Sequence, residues 1–124
     1  MRNPETDRDR IATEFAAIVN MSSEELAEWL RTPESRRVGW KGADGRAAES
    51  IGHASGRRIV AILRTPAASR TADDFAHMRK VVGYVRRHLA QEPANIVTSR
   101  WRYSLMNWGH DPLNSPVIEA AERT

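Results

Sequence analysis

Apolar residues recur at helical spacing through most of this chain, and no stretch alternates convincingly as a half-buried strand would. Ile11, Phe15 and Ile18 share one face of a segment from about Thr6 to Val19, with Ala12 and Val19 beside them. A second segment opens at Ser22, and Glu25 three residues later completes the capping-box pattern. Glu24 and Glu25 also suit the positive end of a helix dipole. Leu26, Trp29 and Leu30 make its apolar stripe. Thr32-Pro33 closes it, because the residue before a proline disfavours helical geometry.

A third segment spans about Ala47 to Arg64. Ile51, Ser55, Ile59, Ile62 and Leu63 cluster on one face, with His53, Arg57, Val60 and Arg64 opposite. Gly52 and Gly56 form a small-residue track where another backbone can pack closely. A fourth begins at Thr71, with Asp74 in the capping-box position, and places Phe75, Met78, Val81, Val82, Val85 and Leu89 on one arc before Pro93. A fifth runs from about Thr98 to Trp108, with Trp101, Leu105 and Trp108 as its stripe. Gly109 stands where a left-handed cap belongs, and Pro112 lies just beyond. The pattern predicts an all-α fold, a compact bundle of about five helices in a single domain over residues 1–112. Residues 1–5 are expected to be disordered. Residues 113–124 read as a tail in which Val117 and Ile118 can dock.

With 124 residues there is enough chain for one modest core. The absence of cysteine excludes a disulfide framework and a thiolate metal site. The apolar runs are too short to span a bilayer, and no secretory signal follows the charged start, so a cytoplasmic protein is expected. Charge is unevenly spread. Residues 1–34 carry four Arg against eight acids, whereas residues 35–112 carry 14 cations against six acids. Such a basic middle attracts polyanions over long range and through counterion release. Only Lys41 and Lys80 are lysines, so the arginine excess has a second reading in a GC-rich coding sequence.

The cations concentrate in two places. Residues 33–48, "PESRRVGWKGADGRAA", form a basic loop between the second and third helices, with Arg36, Arg37 and Lys41 around Trp40. An aromatic among cations is the combination a single-stranded nucleic acid favours, and the stretch reads as a mobile arm. On the fourth helix Arg79, Lys80, Gly83, Arg86 and Arg87 fall within an arc of about 120° at the helical step of about 100°. Gly83 should cost this helix about 1 kcal/mol relative to alanine. It offers close approach to a phosphate backbone, to another helix of the same domain, or to a second copy of the chain. Arg57 adds a cation on the third helix.

Candidate chemistry is sparse. His77, Tyr84 and His88 line another edge of the fourth helix, but the two imidazoles stand about 16 Å apart along the axis, too far for one ion. They read as a polar edge packing on the fifth helix or a second subunit. Glu49, Ser50 and His53 lie within about one helical turn. They lack the separately held carboxylate and oxyanion hole of a serine hydrolase, and capping explains them. An enzyme built on His53, His77 and Asp111 matches no known constellation. No phosphate loop, zinc motif or calcium loop occurs. No enzyme activity, cofactor or metal is therefore expected.

The blocks "VNMSSEELAEWLRTPESRRVGW", "ESIGHASGRRIVAIL", "DDFAHMRKVVGYVRRHLAQ" and "SRWRYSLMNWGHDP" together resemble the family catalogued as domain of unknown function 3140. The resemblance covers about residues 19–112 and includes Trp29-Leu30, Gly52-His53, Ser55 to Arg58, His77 to Lys80 and Asn107 to His110. It implies no activity; members are sometimes labelled DNA-binding. "SSEELAEWL" followed by a basic linker and "GRRIVAILR" is also loosely similar to the SAP-type DNA-binding motif. The expected function is a non-enzymatic nucleic-acid-binding module, with DNA as partner. Phosphate contacts would come from Arg36, Arg37, Lys41, Arg57, Arg79, Lys80, Arg86 and Arg87. About six such contacts on duplex would give a log–log salt slope of about −5. The alternative is a protein-interaction module, or a homodimer, formed on the Gly83 face. Arg58 is expected to act structurally, paired with Glu25 or Asp74.

Overall fold

The computed structural model describes residues 4–114. Six α-helices follow in order: α1 (Pro4–Ile18), α2 (Ser23–Trp29), α3 (Pro33–Arg37), α4 (Ile51–Leu63), α5 (Ala72–Leu89) and α6 (Arg100–Asn107). Single 3-10 turns lie at Ala67–Ser69 and Pro112–Asn114, and no strand occurs among the described residues. The fold is all-α, as the periodicity requires. Among the described residues no helix is long and apolar enough to cross a membrane. Residues 1–3 and the tail from 115 onward, with Val117 and Ile118, lie outside the described residues.

Helix α1 lies along α5, α2 packs on α4, and α6 touches α2, α3, α4 and α5. The core joins Ile11 and Phe15 from α1, Leu26 from α2, Ile59 and Ile62 from α4, Met78, Val81 and Val85 from α5, and Leu105 from α6. The chain ends of these helices follow local chemistry. Ser22 and Glu25 exchange side-chain and backbone bonds of 3.1 and 3.0 Å, and Thr71 and Asp74 do the same at 3.2 and 2.9 Å. At the end of α6, Gly109 adopts φ +81°. Its N–H donates to the Met106 carbonyl at 2.9 Å, and the His110 N–H reaches Leu105 at 3.0 Å, a Schellman closure.

Four sequence expectations need correction. The described residues hold six helices instead of five, because Thr32-Pro33 starts one as well as ending one. The Thr32 hydroxyl accepts from the Ser35 N–H at 3.2 Å, and proline at the first helical position gives up an N–H that would be unpaired anyway. The linker after α2 thus holds a helix of its own, unlike the helix–linker–helix rhythm of the SAP motif. Helix α4 starts at Ile51 and not near Ala47, since Ser50 takes the cap, accepting from the His53 N–H at 3.0 Å. Val60 is buried under α2, whereas Ile51, in the first turn, is 45% exposed.

Two features lock α6 into the bundle. Asn107 is fully buried and joins three helices. Its Oδ1 accepts from the Trp29 indole at 2.8 Å and the Ser35 hydroxyl at 2.5 Å, while its Nδ2 donates to the Ser35 carbonyl at 3.0 Å. The Gly52–Gly56 track is where α4 meets the end of α6. A Cβ on Gly56 would stand 2.5 Å from the Asn107 carbonyl oxygen, and one on Gly52 2.9 Å from Trp108 Nε1.

Candidate nucleic-acid interface

The loop after α3 runs from buried Val38 to buried Ser50. It turns on Gly39, Gly42 and Gly45, whose φ values of +97°, +90° and +70° suit only glycine without strain. Two backbone bonds close its stem: Ile51 N–H to the Trp40 carbonyl at 3.0 Å, and Ala47 N–H to the Lys41 carbonyl at 3.1 Å. The expected free arm is therefore pinned at the start of α4. Trp40 stands out from this stem with 61% of its surface exposed.

On the α5 side of Trp40 lies a hollow of about 280 Å³ bordered by Ile51, Lys80, Tyr84, Arg87 and Trp108. Tyr84 stacks on Trp108 at 4.1 Å between centroids and 16° between planes, and its hydroxyl meets Ser104 at 3.1 Å. Lys80 and Arg87 are exposed, with no carboxylate within 4.0 Å among the described residues. The question posed by Gly83 has a local answer. Among the described residues no other helix approaches it; an added Cβ would meet only the Arg87 guanidinium there, at 3.1 Å. Close packing of a neighbouring helix at Gly83, one of the three sequence readings, does not occur.

On the other side of the loop, Arg36 and Lys41 border a hollow of about 320 Å³ together with Glu49 and His53. Arg57 grips Glu49 with bonds of 2.7 and 2.5 Å, and His53 Nδ1 also meets that carboxylate. The Arg57 hydrogen bonds pull the Glu49 carboxyl down to about 2, against its partial burial and with further help from His53. His53 Nε2 meets the Leu30 carbonyl at 2.7 Å, tying α4 to the end of α2. Ser50 Oγ accepts a backbone N–H, so Glu49, Ser50 and His53 form a cap and an ion pair in place of a nucleophile–base pair.

The eight predicted phosphate contacts divide accordingly. Lys80 and Arg87 border one hollow, and Arg36 and Lys41 the other. Arg57 is committed to Glu49, and Arg86 stands 3.8 Å from Glu14 on α1. Arg37 and Arg79 are exposed and free of carboxylates among the described residues, but border neither hollow. Arg58 meets Asp74 at 3.4 Å, one of its two expected partners.

The histidines are built into the packing. His77 meets Ser55 Oγ at 2.9 Å, and rings from His77 through Trp108, Tyr84 and His88 to Trp101 stack with interplanar angles of 11–16°. The polar edge of α5 thus packs on α4 and α6. Burial lowers the His77, His88 and His110 pKa values, and the Arg58 and Lys80 charges add to the effect at His77. His53, His77 and Asp111 sit in separate networks, the last bound to Arg102 at 3.0 Å. Among the described residues no three His, Asp or Glu side chains are grouped to hold a metal. The Tyr84–Trp108 stack is a tertiary outcome: the periodicity puts Tyr84 on a helix edge and Trp108 on the core stripe of the last helix, and their meeting depends on how α5 and α6 are juxtaposed.

Among known proteins, a family described as "Protein of unknown function (DUF3140)" matches residues 14–106. No curated protein and no solved structure matches the chain.

Proposed function

The chain belongs to the DUF3140 family, and from that premise and its surface chemistry we propose that it is a non-enzymatic nucleic-acid-binding module contacting phosphates through exposed Arg and Lys. The observation that carries the reading is the placement of Arg36, Lys41, Lys80 and Arg87 in hollows on either side of the Trp40–Lys41 segment. All four lack a carboxylate partner among the described residues, so their charge is available to an anion. Phosphate contacts of this kind give affinity and orientation with little sequence readout. DNA is the partner the family resemblance suggests.

Salt dependence tests the reading. Four contacts predict a log–log slope of about −3.6 on duplex DNA and about −2.8 on single strands, shallower than the six-contact expectation. Anisotropy titrations across ionic strength measure it, and a flat dependence would refute phosphate-led binding. Self-association on the Gly83 face is less favoured, because Arg87 lies over that glycine and an isologous contact would bring like charges together. Light scattering that shows a dimer forming as concentration rises, lost in Gly83→Leu, would reverse this preference.

A further inference from the structure

The hollow beside Trp40 has more than charge. Beneath exposed Trp40 and Ile51 lie the stacked rings of Tyr84 and Trp108. Trp108 is 3% exposed overall, and its indole N–H has no hydrogen-bond acceptor among the described residues; the nitrogen itself is not sealed and stays open to solvent. That N–H edge faces Gly52, which borders the same hollow and has no side chain to cover it. Lys80 and Arg87 stand seven residues apart on α5, about 10 Å along its axis. They flank the Tyr84 position.

From this arrangement we infer that the hollow takes one unpaired nucleobase of a single strand. Trp40 supplies the stacking face, the Trp108 N–H donates to a ring nitrogen or carbonyl of the base, and Lys80 and Arg87 hold the phosphates on either side. This deepens the nucleic-acid reading and rests on it. A base in a duplex is already stacked and paired, and must be extruded before it can enter. A base in a single strand is free to stack on an aromatic face, whatever its identity. The volume, about 280 Å³, falls just under the range of about 300–1,000 Å³ typical of drug-sized ligand sites, and suits one planar group.

The test compares labelled single-stranded DNA and RNA 12-mers, the same strands with abasic sites, and the matching duplex, by anisotropy at one fixed salt concentration. The expected result is tighter binding to one or both single strands than to duplex, weakened when abasic sites replace bases. Trp40→Ala, with folding checked by circular dichroism, should weaken single-strand binding on the order of 10-fold. It should leave duplex binding within about 2-fold, while Trp40→Phe retains part of the single-strand affinity. Single-strand binding indifferent to both Trp40→Ala and the abasic sites overturns the base site and leaves phosphate binding standing. Absence of binding to every nucleic acid overturns both readings.

Discussion

At the scale of single residues, the most consequential side chain is one that touches no candidate ligand. Asn107 satisfies the Trp29 indole, the Ser35 hydroxyl and the Ser35 carbonyl in a fully buried position. Asn107→Ala would strip a partner from the buried Ser35 hydroxyl and carbonyl and from the half-buried Trp29 indole, each loss costing up to about 1–3 kcal/mol. We expect a loss on the order of 3 kcal/mol or more in urea unfolding, with an unchanged denaturant slope. Its neighbours in "NWGH" also hold the fold, Trp108 alongside the part it takes in the proposed base site. Trp108 stacks on Tyr84, Gly109 closes α6, and His110 Nδ1 meets the Ile18 carbonyl at 2.6 Å. Much of the segment that carries the family resemblance is thus explained by how α6 is held in place. This bears on how far such a motif indicates function: its residues report the fold first.

At the scale of helices, the glycines separate two physical roles that look alike in sequence. Gly56 sits against the Asn107 backbone and Leu30, whereas Gly83 faces only a flexible guanidinium. Gly56→Ala should therefore destabilise by about 2–3 kcal/mol through overpacking. Gly83→Ala should stabilise by up to about 1 kcal/mol through helix propensity. Parallel thermal melts of the two variants check this, and equal effects would contradict the packing described. Helix existence, caps and core stripes were legible because they depend on neighbours three or four residues away. Ser22, Thr71 and Gly109 act where their spacing places them. Helix α3 was hidden by Thr32-Pro33, a dipeptide compatible with either end of a helix. Val60 lies off the α4 stripe in the sequence pattern yet is buried, because α2 covers a second face of α4 that no single-helix pattern reveals. The basic hollows were legible only in part. The Arg57–Glu49 and Arg86–Glu14 pairs divert two of the eight cations, the second through a partner over 70 residues away.

At the scale of the whole molecule, pH should act on stability in two stages. His77, His88 and His110 have folded pKa values below the ordinary 6.5 because burial disfavours the imidazolium. The unfolded chain then binds more protons than the folded one in mild acid, so stability is present above about pH 6.5 and declines as pH falls beneath it. Glu49 adds a second decline. Its folded value of about 2 lies below the ordinary 4.5, so its contribution is present above 4.5 and lost as pH falls toward 2. Urea midpoints measured from pH 8 to pH 3 should fall in that order, and His77→Gln should flatten the upper stage. A midpoint that rose on acidification from pH 7 to pH 5 would contradict the histidine burial.

The two backbone bonds at the loop stem have a consequence for tolerance to change. They hold Trp40 and Lys41 against the beginning of α4, while the segment from Gly42 to Arg46 projects beyond them, closed on itself by a Gly45 to Gly42 bond. Doubling the length of such a tip costs only about 0.6 kcal/mol in closure entropy. The chain can therefore gain or lose residues there while the tryptophan keeps its place, which makes this tip the natural point for inserting an epitope or a fluorophore.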